Sequence, residues 1–304
     1  MPRLTTFAPA DIDSIAVADT VSDLTSLAAP VLVDGAEYRT RGYTTVADGG
    51  GNVYVYNATG KSGVTVDGGF FIAGPGADDY FEAVDKTTCN VKQFGATADG
   101  TDSKTELQAA AAAAKVYGGR LYFPMGVYGT SDTINLGGAN KECGLEVTTE
   151  GVNNEKFNYI NDGLADTPQT TVRNLGTAVV WLGTDGGGPV FTWSGSSLVW
   201  DGPAIWGKLL YSGSSTNTPE VGFEVTKATG LGTGRNRWKQ LSVTDCDIAL
   251  HANGTTNVDQ FQVDRLLVDG CDYGFQSENA QNTANVFGNV MVHTIGESVF
   301  YYKD

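Results

Sequence analysis

The sequence predicts an all-β protein: a small N-terminal β unit, then a parallel β-helix closed at its entrance by one amphipathic helix. Three observations carry this. Forty glycines in 304 residues, with abundant Ser, Thr, Asn and Val, suit many short strands joined by turns. Beyond residue 175, apolar residues recur at intervals of about 25, a period that belongs to solenoids and arrays. A single stretch, Ser103–Gly119, has strong helical composition.

Taken in order, residues 1–30 are rich in Ala, Asp, Thr and Ser, with weak helical periodicity at "VSDLTSLAA", and are expected to form an extended arm or a short helix. Residues 31–85 form the small β unit. Val53-Tyr54-Val55-Tyr56 alternates as a strand does, and glycine clusters on either side mark turns. A Gly-Pro-Gly break at 74–76 and the acidic "ADDYFEAVD" place a boundary near Asp85, so the coil occupies 86–304. Its entrance holds the helix. "KTELQAAAAAAKVYGG" contains strong helix formers, a Ser103-x-x-Glu106 capping box and a Gly118-Gly119 stop. A β-helix end exposes strand edges and an apolar interior, so a helix there acts as a cap. Gly95, Gly100 and Gly126 fall where the chain turns into the first coil and are expected to meet backbone requirements.

The repeat aligns by columns. Trp238, Val263 and Phe287 correspond, as do Leu241, Leu266 and Val290, and Val243, Val268 and Val292. Cys246, Cys271 and Ile295 follow, then Leu250, Phe275 and Val299, with Phe223 one turn before Leu250. Within each repeat apolar positions fall two apart, the period of strands with one side facing an interior. Helical repeats do not fit. Residues 142–172 and 207–220 depart from this pattern and are expected to be loops off the wall. The sequence stops at "VFYYKD", midway through a repeat, and is expected to continue in a longer protein.

Composition excludes several functions. A net charge of −16 counts against a groove for nucleic-acid backbone. No apolar run reaches the length of a membrane span, and "MPRLTTFAPADIDS" lacks a secretory apolar core. Cys89, Cys143, Cys246 and Cys271 show no zinc spacing and are expected as buried thiols, so neither a metal nor a cofactor is assigned. "GPAIWGKL" matches a phosphate-loop pattern but ends in Leu209 where Ser or Thr is needed.

The stretch from Val91 to Tyr128 carries Val91, Phe94-Gly95-Ala96, Asp99-Gly100, Asp102, a helix of small residues, Gly118-Gly119, and Phe123-Pro124 with Gly126 and Tyr128. This composite resembles the opening motif of the pectate-lyase-like right-handed parallel β-helix superfamily, particularly phage tailspikes and tail fibres. The segments "RGYTTVADGGGNVYVY", "DGGFFIAG" and "DDYFEAV" resemble the short module that precedes the coil there, with Tyr80 or Phe81 in place of the usual tryptophan. The resemblance covers residues 21–304. It implies a homotrimeric virion tail appendage, docked to phage tail or portal-region proteins through residues 1–85, with the coil directed at host surface polysaccharide. A polysaccharide depolymerase is the alternative, and a cellular pectate-lyase-like enzyme comes third, since no basic partner stands in register with the acidic residues.

Equivalent positions on adjacent rungs lie about 4.8 Å apart. Asp247 and Asp272 are therefore expected side by side, pointing outward, with Asp245 and Asp269 nearby. Paired carboxylates can cleave glycosidic bonds, provided the surroundings raise the pKa of one. The plainer alternative is turn aspartates capping amides, or a loosely held calcium. Glu278 is a further candidate for the cluster. His293 falls in register with Asp269 and Thr244, either as a catalytic dyad or as a wall hydrogen bond; His251 is the other histidine. Trp181, Trp193, Trp200 and Trp206 either fill the coil or stack sugars, and burial is the favoured reading. Arg235, Arg237 and Lys239 belong to a strand edge or turn.

Overall fold

The computed structural model describes residues 16–28, 31–137, 144–150, 176–207, 218–226, 234–253, 261–278, 285–293 and 295–302. At the N-terminal end five strands form one sheet in the order Ala16–Ala18, Glu37–Thr40, Val53–Asn57, Tyr80–Ala83, Phe71–Ala73. Alternation along Glu37–Thr40 and Val53–Asn57 buries Tyr38, Tyr54 and Tyr56 on one face. There Phe81 packs against Tyr38 and Tyr56 at ring distances of 5.9 and 5.2 Å. The segment expected as an arm is thus partly built into this sheet. Ala16–Ala18 pairs with Tyr38–Thr40, and Val21–Thr25 is a short helix with a Thr20/Asp23 capping box.

From Cys89 the chain winds through seven successive turns among the described residues, a parallel β-helix. Its first face stacks Cys89–Asn90, Arg120–Phe123, Leu145–Thr149, Leu198–Asp201, Arg237–Trp238, Gln262–Asp269 and Val286–Val292. The second stacks Asp99–Asp102, Val127–Thr130, Ala178–Trp181, Ala204–Trp206 and Leu241–Thr244, and joins the first at the long strand Gln262–Asp269. The third runs Ile134–Asn135, Phe191–Trp193, Val221–Thr226, Ile248–Asn253, Cys271–Ser277 and Ile295–Tyr302. Leu145–Thr149 lies in the segment expected to loop outward, yet it is a rung strand with Leu145 and Val147 in the core. The coil therefore starts its repeat well before residue 175.

A helix, Lys104–Ala113, stands in the first turn where a third-face strand would be, and buries Leu107, Ala110, Ala111 and Ala113. It does more than cover the interior. Asn135 N–H donates to Gln108 Oε1 at 2.8 Å, and Gln108 Nε2 donates to Asn135 O at 3.2 Å, so one side-chain amide replaces a missing strand neighbour. The expected capping box at this helix does not form. Ser103 is buried, its hydroxyl accepts the Thr97 amide at 3.1 Å, and the Lys104 amide is met by Asp102 Oδ1 instead. The helix ends in a π turn with Gly119 in the left-handed region, as the Gly-Gly stop predicts.

The register follows the sequence columns with one exception. Trp238, Val263 and Phe287 pair, as do Leu241, Leu266, Val290 and Val243, Val268, Val292. Phe223, Leu250 and Phe275 also pair, but the next partner is Phe300, not Val299. An irregularity between Cys271 and Tyr273 inserts one residue in the partner strand, and a one-residue slip exchanges inward for outward positions.

Aromatic rings fill the coil as a zigzag. Phe191, Trp200, Phe223, Trp238, Phe261, Phe275 and Phe287 follow one another at 5.0–5.7 Å, mostly edge to face. Trp181, Trp193 and Trp200 are buried, so the favoured reading of the tryptophans holds for these three. Cys89, Cys246 and Cys271 are buried free thiols; Cys143 lies outside the described residues. Ala204–Trp206 of the phosphate-loop match is a plain rung strand.

Two outcomes follow. Phe223 touches both Trp200 and Trp238, so Phe223→Ala should cost about 3–5 kcal/mol by chemical denaturation. A Cβ on Gly126 would sit 2.4 Å from the Ala98 Cβ at φ +145°, whereas one on Gly100, at φ +84°, meets nothing closer than 3.9 Å. Gly126→Ala should therefore cost about 2–4 kcal/mol, from strain plus a clash, and Gly100→Ala about 1–2 kcal/mol, from strain alone.

Candidate functional site

Two groups of polar side chains lie on the outside of the coil. The first occupies the corner between the second and third faces, where Thr244 leads to Ile248 and Asp269 to Cys271. The inward residues of these turns are Cys246 and Cys271, both buried, and burial pushes the Cys246 thiol well up. Alternation then sends Asp247 and Asp272 outward, and both are exposed. The Asp272 and Tyr273 amides donate to Asp247 O, each at 2.9 Å, which stacks the two turns directly. The sequence register thus places this pair correctly. Asp245 has φ +55°, an uncommon conformation for a non-glycine residue, and its amide donates to Asp269 O at 2.9 Å.

On the next turn the inserted residue changes the pattern. Gly296 lies against Asp272, where a Cβ would come within 2.2 Å of Asp272 Oδ1, and Glu297 bonds the Tyr273 hydroxyl. That bond, with loss of water, pushes the Tyr273 phenol up to about 12. Glu297 escaped the sequence reading because the slip moves it out of the expected column.

Thr244, Asp269 and His293 form one column, as expected. His293 Nδ1 lies 3.1 Å from Asp269 Oδ1, with the histidine side chain 40% exposed and the carboxylate 10%. A sheltered carboxylate orienting a more exposed imidazole can serve acid–base chemistry or simply tie two rungs together. Asp247 and Asp272 are both open to water; a retaining cleavage would need one of the two carboxyls to carry a proton.

Glu278 does not join this corner. It follows the far end of Cys271–Ser277, six residues along an extended chain from Asp272, or about 20 Å. It belongs to the second group, on the outer side of the third face. Phe223, Val225, Leu250, Ala252 and Phe275 point inward there, so Glu224, Thr226, His251, Asn253, Gln276 and Glu278 leave by the opposite side. Glu224 Oε1 accepts from Asn253 Nδ2 at 2.7 Å and lies 3.6 Å from His251 Nδ1. Gln276 Nε2 donates to Glu278 Oε1 at 3.2 Å. Burial pushes the Glu224 carboxyl up, and the His251 ring and Asn253 amide more than offset it, leaving the group below the ordinary range. The sequence signal was present: His251 follows Leu250 as Glu224 follows Phe223, so the two share a column.

Arg237 pairs with Asp264 and Lys239 with Asp201 on the first face, while Arg235 sits in a turn at φ +59°. No group of three or more His, Cys, Asp or Glu among the described residues is placed to hold a metal ion. Within the described residues, no helix is long and apolar enough to cross a membrane.

No protein-family model matches the chain, and no curated protein matches it in sequence. Solved structures do match. WceF of Pantoea stewartii, described as a glycan biofilm modifying enzyme with a bacteriophage tailspike-like parallel β-helix fold, is 17% identical with a TM-score of 0.57. The match covers 94% of this chain and 40% of that one. Full-length tailspike protein 2 of Escherichia coli O157:H7 bacteriophage CAB120 is 14% identical with a TM-score of 0.51, over 91% of this chain and 36% of that one. The fold is thus the tailspike-type parallel β-helix that the opening motif implies, and the chain spans less than half the length of these two structures.

The Glu224 environment gives a pH test. Because its folded pKa is depressed, its stabilising contribution is present above the unfolded value of about 4.3 and is lost as pH falls through the folded value. Asn253→Ala removes the hydrogen bond that helps depress it. The variant should show a higher Glu224 pKa by carboxyl NMR, and should lose less stability than the parent between about pH 5 and 3.

Proposed function

We propose that this chain is part of a phage tailspike- or fibre-type appendage. Its N-terminal unit docks to tail or portal-region proteins of the virion, and the coil projects as a homotrimer towards host surface polysaccharide. The observation that carries this reading is the order of parts along the chain: a compact sheet fixed to the capped entrance of a parallel coil. The likeness of fold to a tailspike and to a glycan-modifying enzyme over more than nine-tenths of this chain supports it.

Depolymerase activity is a second reading, favoured by the stacked and exposed Asp247 and Asp272. In a retaining cleavage one carboxyl would protonate the leaving oxygen while the other attacks the sugar. Asp245 and the Asp269–His293 pair border the same corner.

Light scattering on the purified chain should give the mass of a trimer, and a stable monomer at micromolar concentration would count against that assembly. Removing residues 1–85, with folding of the remainder checked by circular dichroism, should abolish incorporation into particles; unchanged incorporation would sink the docking assignment. Asp247→Asn with Asp272→Asn should abolish glycan cleavage and leave attachment intact. Virion binding by the parent chain without any cleavage of host capsule or lipopolysaccharide would leave the structural reading alone.

A further inference from the structure

We propose that the outer side of the third face, at Glu224, His251 and Gln276, is a binding site for a neutral, hydroxyl-rich sugar. This deepens the glycan-facing reading above and rests on it. It assigns contact to a wall separate from the aspartate corner.

The starting point is His251. It is 94% buried, being 6% exposed, and neither ring nitrogen has a hydrogen-bond partner. The closest carboxylate oxygen, on Glu224, stands 3.6 Å away, beyond the usual length of such a bond. A buried polar group left without a partner is costly, and native structures rarely tolerate one without a reason. Yet this ring is not in the coil interior. It alternates with Leu250 and Ala252, which face the core, so it leaves the opposite side of the sheet.

Its neighbours define what would satisfy it. Three consecutive rungs place Glu224, His251 and Gln276 in one column, with Thr226, Asn253 and Glu278 two residues further along the same strands. Rungs are about 4.8 Å apart, so the column spans roughly 10 Å of wall. Asn253 fixes the Glu224 carboxylate from one side. An imidazole N–H donates and a carboxylate accepts; a hydroxyl, which both donates and accepts, complements each of them. On the following rung Tyr301 stands in register with Gln276, 5.1 Å from the Tyr273 ring. An aromatic face beside a polar column suits the apolar face and hydroxyl rim of a sugar ring.

Charge then separates sugar classes. The six positions hold two carboxylates and no lysine or arginine, on a chain of net charge −16. A uronate or sulfated sugar would be repelled there; a neutral one would not.

The test is a titration of the full chain, with ¹⁵N-labelled histidine, against neutral hexose and N-acetylhexosamine oligosaccharides and against oligogalacturonate of matched length. The two histidine side chains are told apart with His293→Gln. Neutral oligosaccharides should shift the His251 ring resonances saturably, and oligogalacturonate should do so at least tenfold more weakly. Glu224→Gln should weaken the neutral interaction at least tenfold. Should that variant misfold, the titration of the parent chain decides by itself. His251 resonances that stay fixed while the chain still binds host glycan would overturn this site and leave the proposed function standing. Tighter binding of the uronate at His251 would overturn the assigned sugar class. A chain that binds no host glycan at all would overturn both.

Discussion

The coil depends on every turn meeting the next in register, and the aromatic zigzag is what enforces it. A parallel stack alone gives each rung the same backbone bonds whichever neighbour it meets, so backbone pairing does not choose among registers. Side chains do. Phe191, Trp200, Phe223, Trp238, Phe261, Phe275 and Phe287 follow one another through the interior, all but the last pair edge to face. A shifted turn would put a ring where a β-branched residue belongs. The cost of this packing is visible in the indole N–H groups of Trp200 and Trp238, buried without partners. Trp193 avoids it by donating to Asn236, whose side chain also accepts the Leu198 amide.

How much of this was legible follows from what each feature depends on. Inward columns were readable because burial restricts them to apolar residues, and identical environments recur every turn. The corner aspartates were readable for the same reason, since Cys246 and Cys271 fix their alternation. The slip that pairs Phe275 with Phe300 was not, because an added residue in a turn leaves composition unchanged while moving everything after it. Capping was misread for a related reason. Ser103 has the right spacing to Glu106, but a competing amide from Thr97 claims its hydroxyl. The field around His251 was overlooked because outward positions carry no periodic constraint; only its column partner, Glu224, distinguishes it from an ordinary surface histidine.

The entrance shows how an edge can be closed by side chains as well as by strands. Gln108 bonds both backbone groups of Asn135, and Lys115, its charge disfavoured by burial, reaches the carbonyls of Asn135 and Gly137. The capping helix therefore does two separate jobs, covering apolar interior with small residues and completing the ladder with long ones.

The joint between the two parts of the chain is built without slack. Phe70 of the N-terminal unit packs on Phe94 of the coil entrance at 5.3 Å and on Tyr117 beyond the helix at 6.1 Å. Asn90 and Gln93 donate to the carbonyls of Gly49 and Gly51, and a Cβ on Gly95 would strike the Tyr43 ring at 2.7 Å. Such a seam resists swivelling. A sideways load on the coil would act as a lever on the small sheet rather than dissipate at a hinge, so bending at the tip would be felt as torque at the base.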